Sequence, residues 1–316
     1  MEALKPFVIL TGPTAVGKTE ISLKLSKEIG GEIISADSMQ VYRYMDIGSA
    51  KIDRESRNRI PHHPIDVLDP KEEFNVYRFQ QMAKEALTGI YERGNIPVIV
   101  GGTGFYIHAL LYDVDFETED EADEIRLRLT AIVKEHGNTY LHEKLTEVDP
   151  VSAMEIHPNN VKRVIRALEF YEKNHFPISE HNQMQRQKES RYNFCYFVLN
   201  DDRTRLYERI DTRVEQMLAD GLLEEVRRLK EMGCDKSMVS MQGLGYKELL
   251  SYLSGEIDDE QAVDLIKRDS RRFAKRQLTW FRREKDVQWV NRQAFYGEED
   301  MIAFMLEIMR RKGLIK

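Results

Sequence analysis

Short apolar runs, separated by amphipathic segments of helical period, set the pattern of the first hundred residues. Phe7-Val8-Ile9-Leu10, Glu32-Ile33-Ile34-Ser35-Ala36 and Ile96-Pro97-Val98-Ile99-Val100 read as strands. Between the first two, Glu20 to Ile29 carries Ile21, Leu25 and Ile29 on one helical face. Between the second and third, Phe74 to Glu92 does the same with Phe79, Met82, Ala86 and Ile90. The pattern then changes. Arg126 to Glu135 carries Leu127, Leu129 and Ile132. Val161 to Lys173, opened by His157-Pro158-Asn159, carries Val164, Ile165, Leu168 and Tyr171, and no β-rich run interrupts them. Tyr192 to Leu199 returns to strand character. A long helical stretch from Asp201 to Met232 follows, with an apolar stripe from Leu206 to Leu229 and Gly221 as a kink. Gln242 to Glu248 is a loop opening a helix, Val287 to Val290 a final strand, and Gly297 to Lys316 an amphipathic tail helix.

The first strand runs into Gly12-Pro13-Thr14-Ala15-Val16-Gly17-Lys18-Thr19, which fits G-x-x-x-x-G-K-[ST] in its confirming strand–loop–helix context. Gly12 and Gly17 permit backbone shapes that a Cβ hinders. Successive amides then face phosphate oxygens, and the helix N-terminus adds positive potential. Lys18 reaches the terminal phosphates and the Thr19 hydroxyl holds Mg²⁺. The expected fold is therefore α/β: a P-loop NTPase-like core with a parallel sheet and an inserted all-helical domain. Residues 1–117 form the first part of the core, 118–191 the insertion, and 192–316 the continuation of the core.

Other residues gather around this loop. Asp37 follows the second strand, where ligands sit in an open α/β sheet. It reads as a chemical group, as a solvated or N-capping aspartate, or as an Mg²⁺-holding acid. Gly101-Gly102-Thr103-Gly104-Phe105-Tyr106 follows the third strand as a second wall, with Thr103 and Tyr106 expected to face the crevice. Val41 to Lys51 reads as a functional loop. The pair His62-His63 lacks H-E-x-x-H spacing and reads as structural or substrate-lining. Arg205, Arg209 and Arg213 recur every four residues, which suits either phosphate contacts or surface pairs with Glu208 and Asp211.

Composition narrows the class. Charged residues at 32% and hydrophobic residues at 41% suit a soluble globular chain of 316 residues, with room for one core plus a smaller domain. No apolar run approaches the ~20 residues of a membrane span, and the first six residues leave no room for a signal peptide. Two cysteines, Cys195 and Cys234, build neither a disulfide framework nor a zinc ribbon, so a cytoplasmic setting is expected. The eight acids between Asp113 and Glu124 suggest an exposed boundary. The net charge of −7 argues against nucleic acid, but Lys267 to Lys285 holds nine basic residues and two acidic ones. Phe273, Trp280 and Phe281 lie among them. Cations beside rings suit an RNA contact, although Phe273 and Phe281 are assigned to the core.

GPTAVGKT, DSMQVYRYMDIGSAK and GGTGFY resemble the tRNA dimethylallyltransferases, and KRVIRALEFY, RLYERIDTRVEQML, QGLGYKEL and KRQLTWFR continue the match from about residue 7 to 290. The resemblance implies transfer of a dimethylallyl group from dimethylallyl diphosphate to the exocyclic amine of the adenosine 3′ of the anticodon. It implies Asp37 as general base, and Gly12 to Thr19, Mg²⁺ and Arg213 as stabilisers of the departing diphosphate. Ser38, Met39, Gln40, Thr103 and Arg126 would line the path of the base. Lys162, Arg163 and Arg166, with Lys275, Arg276, Gln277, Trp280 and Arg282, would grip the anticodon stem-loop of the tRNA partner. Some eukaryotic relatives carry a C-terminal zinc finger; this chain lacks its Cys and His spacing, so a bacterial-type, zinc-free enzyme is expected. A monomer is expected as well. A small-molecule or nucleotide kinase and a GTP-binding RNA switch are the competing readings. The first leaves KRQLTWFR unexplained, and the second lacks an N-K-x-D run.

Overall fold

The computed structural model describes residues 4–116 and 122–316. Residues 117–121, with four acids of the acidic run and the expected 117/118 domain edge, lie outside the described residues, as do residues 1–3. The chain divides into two units, Met1–Leu111 with Arg191–Lys316, and Tyr112–Ser190.

The first unit opens with β1 (Lys5–Thr11), α1 (Lys18–Ile29), β2 (Gly31–Ala36), α2 (Arg54–Arg59), β3 (His62–His63), α3 (Val76–Glu92), β4 (Ile96–Gly101) and α4 (Gly104–Leu111). The second unit is helical: α5 (Ala122–Val148), α6 (Pro150–Glu155), α7 (Val161–Asn174) and α8 (Ile178–Arg186). The first unit resumes with β5 (Tyr192–Asn200), α9 (Arg203–Ala219), α10 (Leu222–Glu231), α11 (Tyr246–Leu253), α12 (Asp259–Phe281), β6 (Val287–Asn291) and α13 (Glu298–Arg311).

The six strands of the described residues form one parallel sheet in the order β3-β2-β4-β1-β5-β6. Central strands of a parallel sheet are covered on both faces, which is why they read as unbroken apolar runs. Phe7, Val8, Ile9 and Leu10 of β1 are fully buried, as are Cys195 to Leu199 of β5. The register sets the working edge. Thr11 pairs with Gly101 and Val198, Ala36 with Gly101, and Asn200 with Asn291. Gly12, Asp37, Gly102, Asp201 and Arg292 therefore all leave the sheet at its carboxyl edge.

Glu32 in β2 is buried and bonds Arg93 at 2.7 Å, Asn95 at 2.8 Å and His63 at 2.9 Å. Arg93 above all holds its carboxyl down to about 2, against burial, which pushes the other way. His63 thus has a structural partner. On α3 the buried face is Phe79, Ala83, Leu87 and Ile90; Met82 and Ala86 from the expected stripe are only half-buried. The expected kink at Gly221 is a full break, with α9 ending at Ala219 and α10 starting at Leu222.

In the second unit, α5 is interrupted at Gly137, where φ is 85° and ψ 172°. Leu129, Leu141, Leu145, Val164 and Leu168 form its core. Leu127, expected in that stripe, is 71% exposed. Glu169 is fully buried and takes Arg126 (3.1 Å) and Arg166 (3.0 Å). Among the described residues no helix is long and apolar enough to cross a membrane.

Candidate active site

The loop from Gly12 to Gly17 joins β1 to α1. Gly17 sits at φ 92°, a left-handed conformation that favours glycine. The Lys18 ammonium donates to the carbonyls of Gly12 (3.0 Å) and Pro13 (2.8 Å). Burial pulls its pKa down to about 7, Arg213 adds to this, and Asp37 opposes it. Arg213 is shifted down by burial as well, while Asp37 and Glu20 hold it up. One carboxylate and two cations thus lie within one another's field. Thr19 is exposed in the first turn of α1.

Asp37 accepts the Met39 amide on Oδ1 at 2.8 Å, a turn that orients its carboxylate. It lines a cavity of about 300 Å³ together with Thr14, Ser38, Met39, Thr103 and Arg213. The far wall comes from α9, the loop before α11, and α12, including Val214, Leu244, Phe273 and Arg276. Phe273, assigned to the core from sequence, is half-buried at this wall, and the Arg276 guanidinium lies 5.7 Å from its ring centroid. Tyr106, expected to face the crevice, is instead core. It packs on Phe79 at 4.6 Å and edge-on to Phe74 at 5.8 Å, because it falls on the inward face of α4.

Two buried polar side chains shape the walls. Gln277 accepts the Thr14 amide at 2.9 Å and donates to the Gly102 carbonyl at 3.0 Å, tying the phosphate loop to the turn after β4. A Cβ on Gly102 would come within 2.0 Å of Gln277 Nε2, so only glycine allows this approach. Gln277, expected in the anticodon grip, therefore has both ends of its amide engaged inside the first unit. Glu225 on α10 accepts the amides of Asp46 and Ile47 (2.8 Å each) and Gly48 (3.1 Å), and the Tyr246 hydroxyl at 2.7 Å. It pins the 46–48 loop, whose end, Gly48 and Ser49, faces the cavity. Lys51 holds the same loop through the Tyr42 carbonyl (2.7 Å), Asp46 (2.7 Å) and Asp66 (2.6 Å). Gln40 is used similarly: it accepts from Ser35 at 2.9 Å and donates to the carbonyls of Ser49 and Ala50.

The remaining expected contacts separate by unit. Lys275 and Arg282 are exposed on and just after α12, and Arg276 reaches the cavity. Trp280 is half-buried, edge-on to Phe105 (6.1 Å) and His108 (6.4 Å), and its buried indole Nε1 has no hydrogen-bond partner among the described residues. Lys162 and Arg163 are exposed on α7 of the second unit, whereas Arg126 and Arg166 pair with Glu169 there. Of the arginine row on α9, Arg213 lines the cavity and Arg209 donates to the Ala15 carbonyl at 2.8 Å. Arg205 is exposed. Glu225 and Arg292 were not singled out from sequence. Glu225 looks like any helix-surface acid, and Arg292, which donates to the Val16 carbonyl at 3.1 Å, follows a short strand. Its position one residue past a parallel strand was the available signal.

Among the described residues no three His, Cys, Asp or Glu side chains converge as a metal site.

The profile of the IPP transferase family matches residues 40–284, and that of the isopentenyl transferases residues 6–60. A tRNA dimethylallyltransferase of Lachnoclostridium phytofermentans is 53% identical over 99% of this chain and 100% of its own length. One of Acetivibrio thermocellus is 49% identical over 93% and 94%. The solved structure of the full-length tRNA isopentenylpyrophosphate transferase of Bacillus halodurans superposes with a TM-score of 0.72 at 41% identity, covering 98% of both chains. A eukaryotic dimethylallyltransferase solved acting on tRNA gives 0.75 at 26% identity over 98% of this chain and 85% of that one. The phosphate loop, the aspartate beside it and the likeness over nearly the whole length agree, and the chain belongs to the tRNA dimethylallyltransferases, a family of prenyltransferase enzymes.

Proposed function

We propose that this enzyme joins the dimethylallyl group of dimethylallyl diphosphate to the exocyclic amine of the adenosine 3′ of the tRNA anticodon. The observation that carries the reading is the meeting of Asp37 and Arg213 at one cavity whose walls include Thr14 and Ala15 of the phosphate loop, with Lys18 of that loop within the field of both. An adenine amine is a weak nucleophile, because its lone pair is delocalised into the ring. As the new C–N bond forms, the C–O bond to diphosphate breaks, and the amine sheds a proton. Asp37, oriented by the Met39 amide, accepts that proton. The loop amides, Thr14, Lys18 and Arg213 take up the charge that grows on the departing diphosphate. Bound Mg²⁺, held by Thr19, would add further neutralisation of that charge. The base leaves its stack to enter the cavity, as base-modifying chemistry requires. Ser38, Met39 and Thr103 line its way in. Lys275, Arg276 and Arg282 supply cations for the RNA backbone, with Lys162 and Arg163 on the helical unit.

A transfer assay tests this. Purified enzyme, Mg²⁺ and unmodified tRNA receive labelled dimethylallyl diphosphate in one tube and γ-labelled ATP in another. Label enters tRNA from the prenyl donor alone. ATP consumed without prenyl transfer would overturn the reading and leave a phosphate loop serving a kinase.

A further inference from the structure

The amides of a phosphate-binding loop serve an anion only if their peptide planes are held with the N–H groups inward. A trans peptide points its C=O and N–H in opposite directions, so holding a carbonyl outward holds the next residue's N–H inward. Two guanidiniums do this here. Arg209 Nε donates to Ala15 O at 2.8 Å, which fixes the plane carrying the Val16 N–H. Arg292 Nη1 donates to Val16 O at 3.1 Å, which fixes the plane carrying the Gly17 N–H. Both lie against Gly17: a Cβ there would meet Arg292 Nη1 at 2.6 Å and Arg209 Nη2 at 3.3 Å. Ala15 itself is held at φ 62°, a conformation unusual for a residue with a side chain, so this part of the loop needs outside support.

Arg292 is itself held. It follows β6 directly, and Asn291 of that strand pairs with Asn200 of β5. Its other nitrogen, Nη2, lies 3.8 Å from Glu298, which also pairs with Lys24 at 3.0 Å. Its side chain is 19% exposed, so the guanidinium is largely desolvated against the loop.

We propose that Arg292, with Arg209 beside it, is a positioning residue that sets the peptide planes of the phosphate loop for the diphosphate. The inference rests on the reading above that this loop holds the diphosphate. Donation from a cation also polarises each peptide and strengthens its opposite N–H as a donor. Without Arg292 the Val16–Gly17 plane is free to turn, and diphosphate binding weakens while the proton-accepting group is untouched.

The test uses the full-length enzyme, with Kd for inorganic pyrophosphate by calorimetry and steady-state kinetics for both substrates. Arg292→Ala is expected to raise the pyrophosphate Kd and the KM for dimethylallyl diphosphate roughly tenfold, the scale of one charge-assisted hydrogen bond. The KM for tRNA stays as in the wild type, and kcat changes far less than the donor KM. Arg292→Lys, which keeps the charge and a donor, recovers most of the loss, and Arg292→Gln recovers less. If Arg292→Ala does not fold, the Lys and Gln variants carry the comparison. Unchanged pyrophosphate affinity in Arg292→Ala, or in Arg292→Gln where the Ala variant does not fold, overturns the proposal, as does a kcat loss at constant donor KM. Lys18→Ala separates the two failures. If it loses pyrophosphate while Arg292→Ala does not, only the positioning role fails. If Lys18→Ala also binds as the wild type does, the diphosphate reading fails and takes this proposal with it.

Discussion

Asp37 is the proton acceptor of the proposed reaction, and Lys18 and Arg213 lie within its electrostatic field. Its Oδ1 takes the Met39 amide, so the group is aimed, and its charge offsets the burial cost of Lys18 and Arg213. Asp37→Asn keeps the turn to Met39 but cannot take a proton. Both Asp37→Ala and Asp37→Asn are expected to bind tRNA normally and to lose roughly 10²- to 10⁴-fold in transfer rate. Turnover near that of the wild type in either variant would remove Asp37 from the mechanism. The loop residues and Asp37 were legible because strand, turn and helix signals place them without knowledge of the rest of the fold. Tyr106 was misplaced because a ring on a short, mostly apolar helix gives little sign of which side the core will claim.

Elements hold together through polar groups that sequence periodicity treats as surface. Glu32 joins β2 to the end of α3 through Arg93 and Asn95. Its folded pKa, about 2, lies below the ordinary 4.5. A depressed carboxylate contributes stability that is complete above 4.5 and disappears as pH falls toward 2. Glu32→Gln is therefore expected to lower stability at pH 7 and to flatten the decline between pH 4.5 and 2. Denaturant titrations at pH 7, 5 and 3 check this, and parallel wild-type and variant curves through that window would refute it. Glu225 makes the same point at the cavity. One acid on α10 accepts three consecutive amides almost 180 positions earlier in the chain. No local spacing could announce that bond. On α3 the expected and observed stripes share Phe79 and Ile90. The observed one wins because Ala83 and Leu87 lie on the buried side and Gln80 donates to the Ala109 carbonyl of α4 at 2.9 Å.

At the scale of the whole molecule, an acidic protein carries a basic segment. The chain is −7 overall, yet Lys267 to Lys285 concentrates nine cations. Several of these are internally paired: Lys267 with Glu215, Arg271 with Asp211, and Arg268 and Arg272 with Asp269. Lys275 and Arg276 are exposed on the same helix, and they are the cations expected to meet RNA phosphates. Changing both to Ala should weaken tRNA binding and reduce its salt slope by about one unit per lost contact. A binding titration from low to high salt measures this. An unchanged slope would move the RNA contact to other residues.

The sequence alone determined the alternation of strands and helices, the phosphate loop, the all-helical stretch and the family likeness. Each of these is written in neighbouring residues, because period, turn chemistry and motif spacing act over a few positions. Tertiary structure decided what depends on distant segments meeting. It chose which face of α3 is buried, sent Tyr106 inward and brought Phe273 to the cavity. It also tied the loop after β1 to α12 through Gln277, to α9 through Arg209 and to the end of β6 through Arg292. The reason is the parallel register, which lines up the carboxyl ends of strands far apart in sequence and so lets residue 292 support the backbone at residue 16.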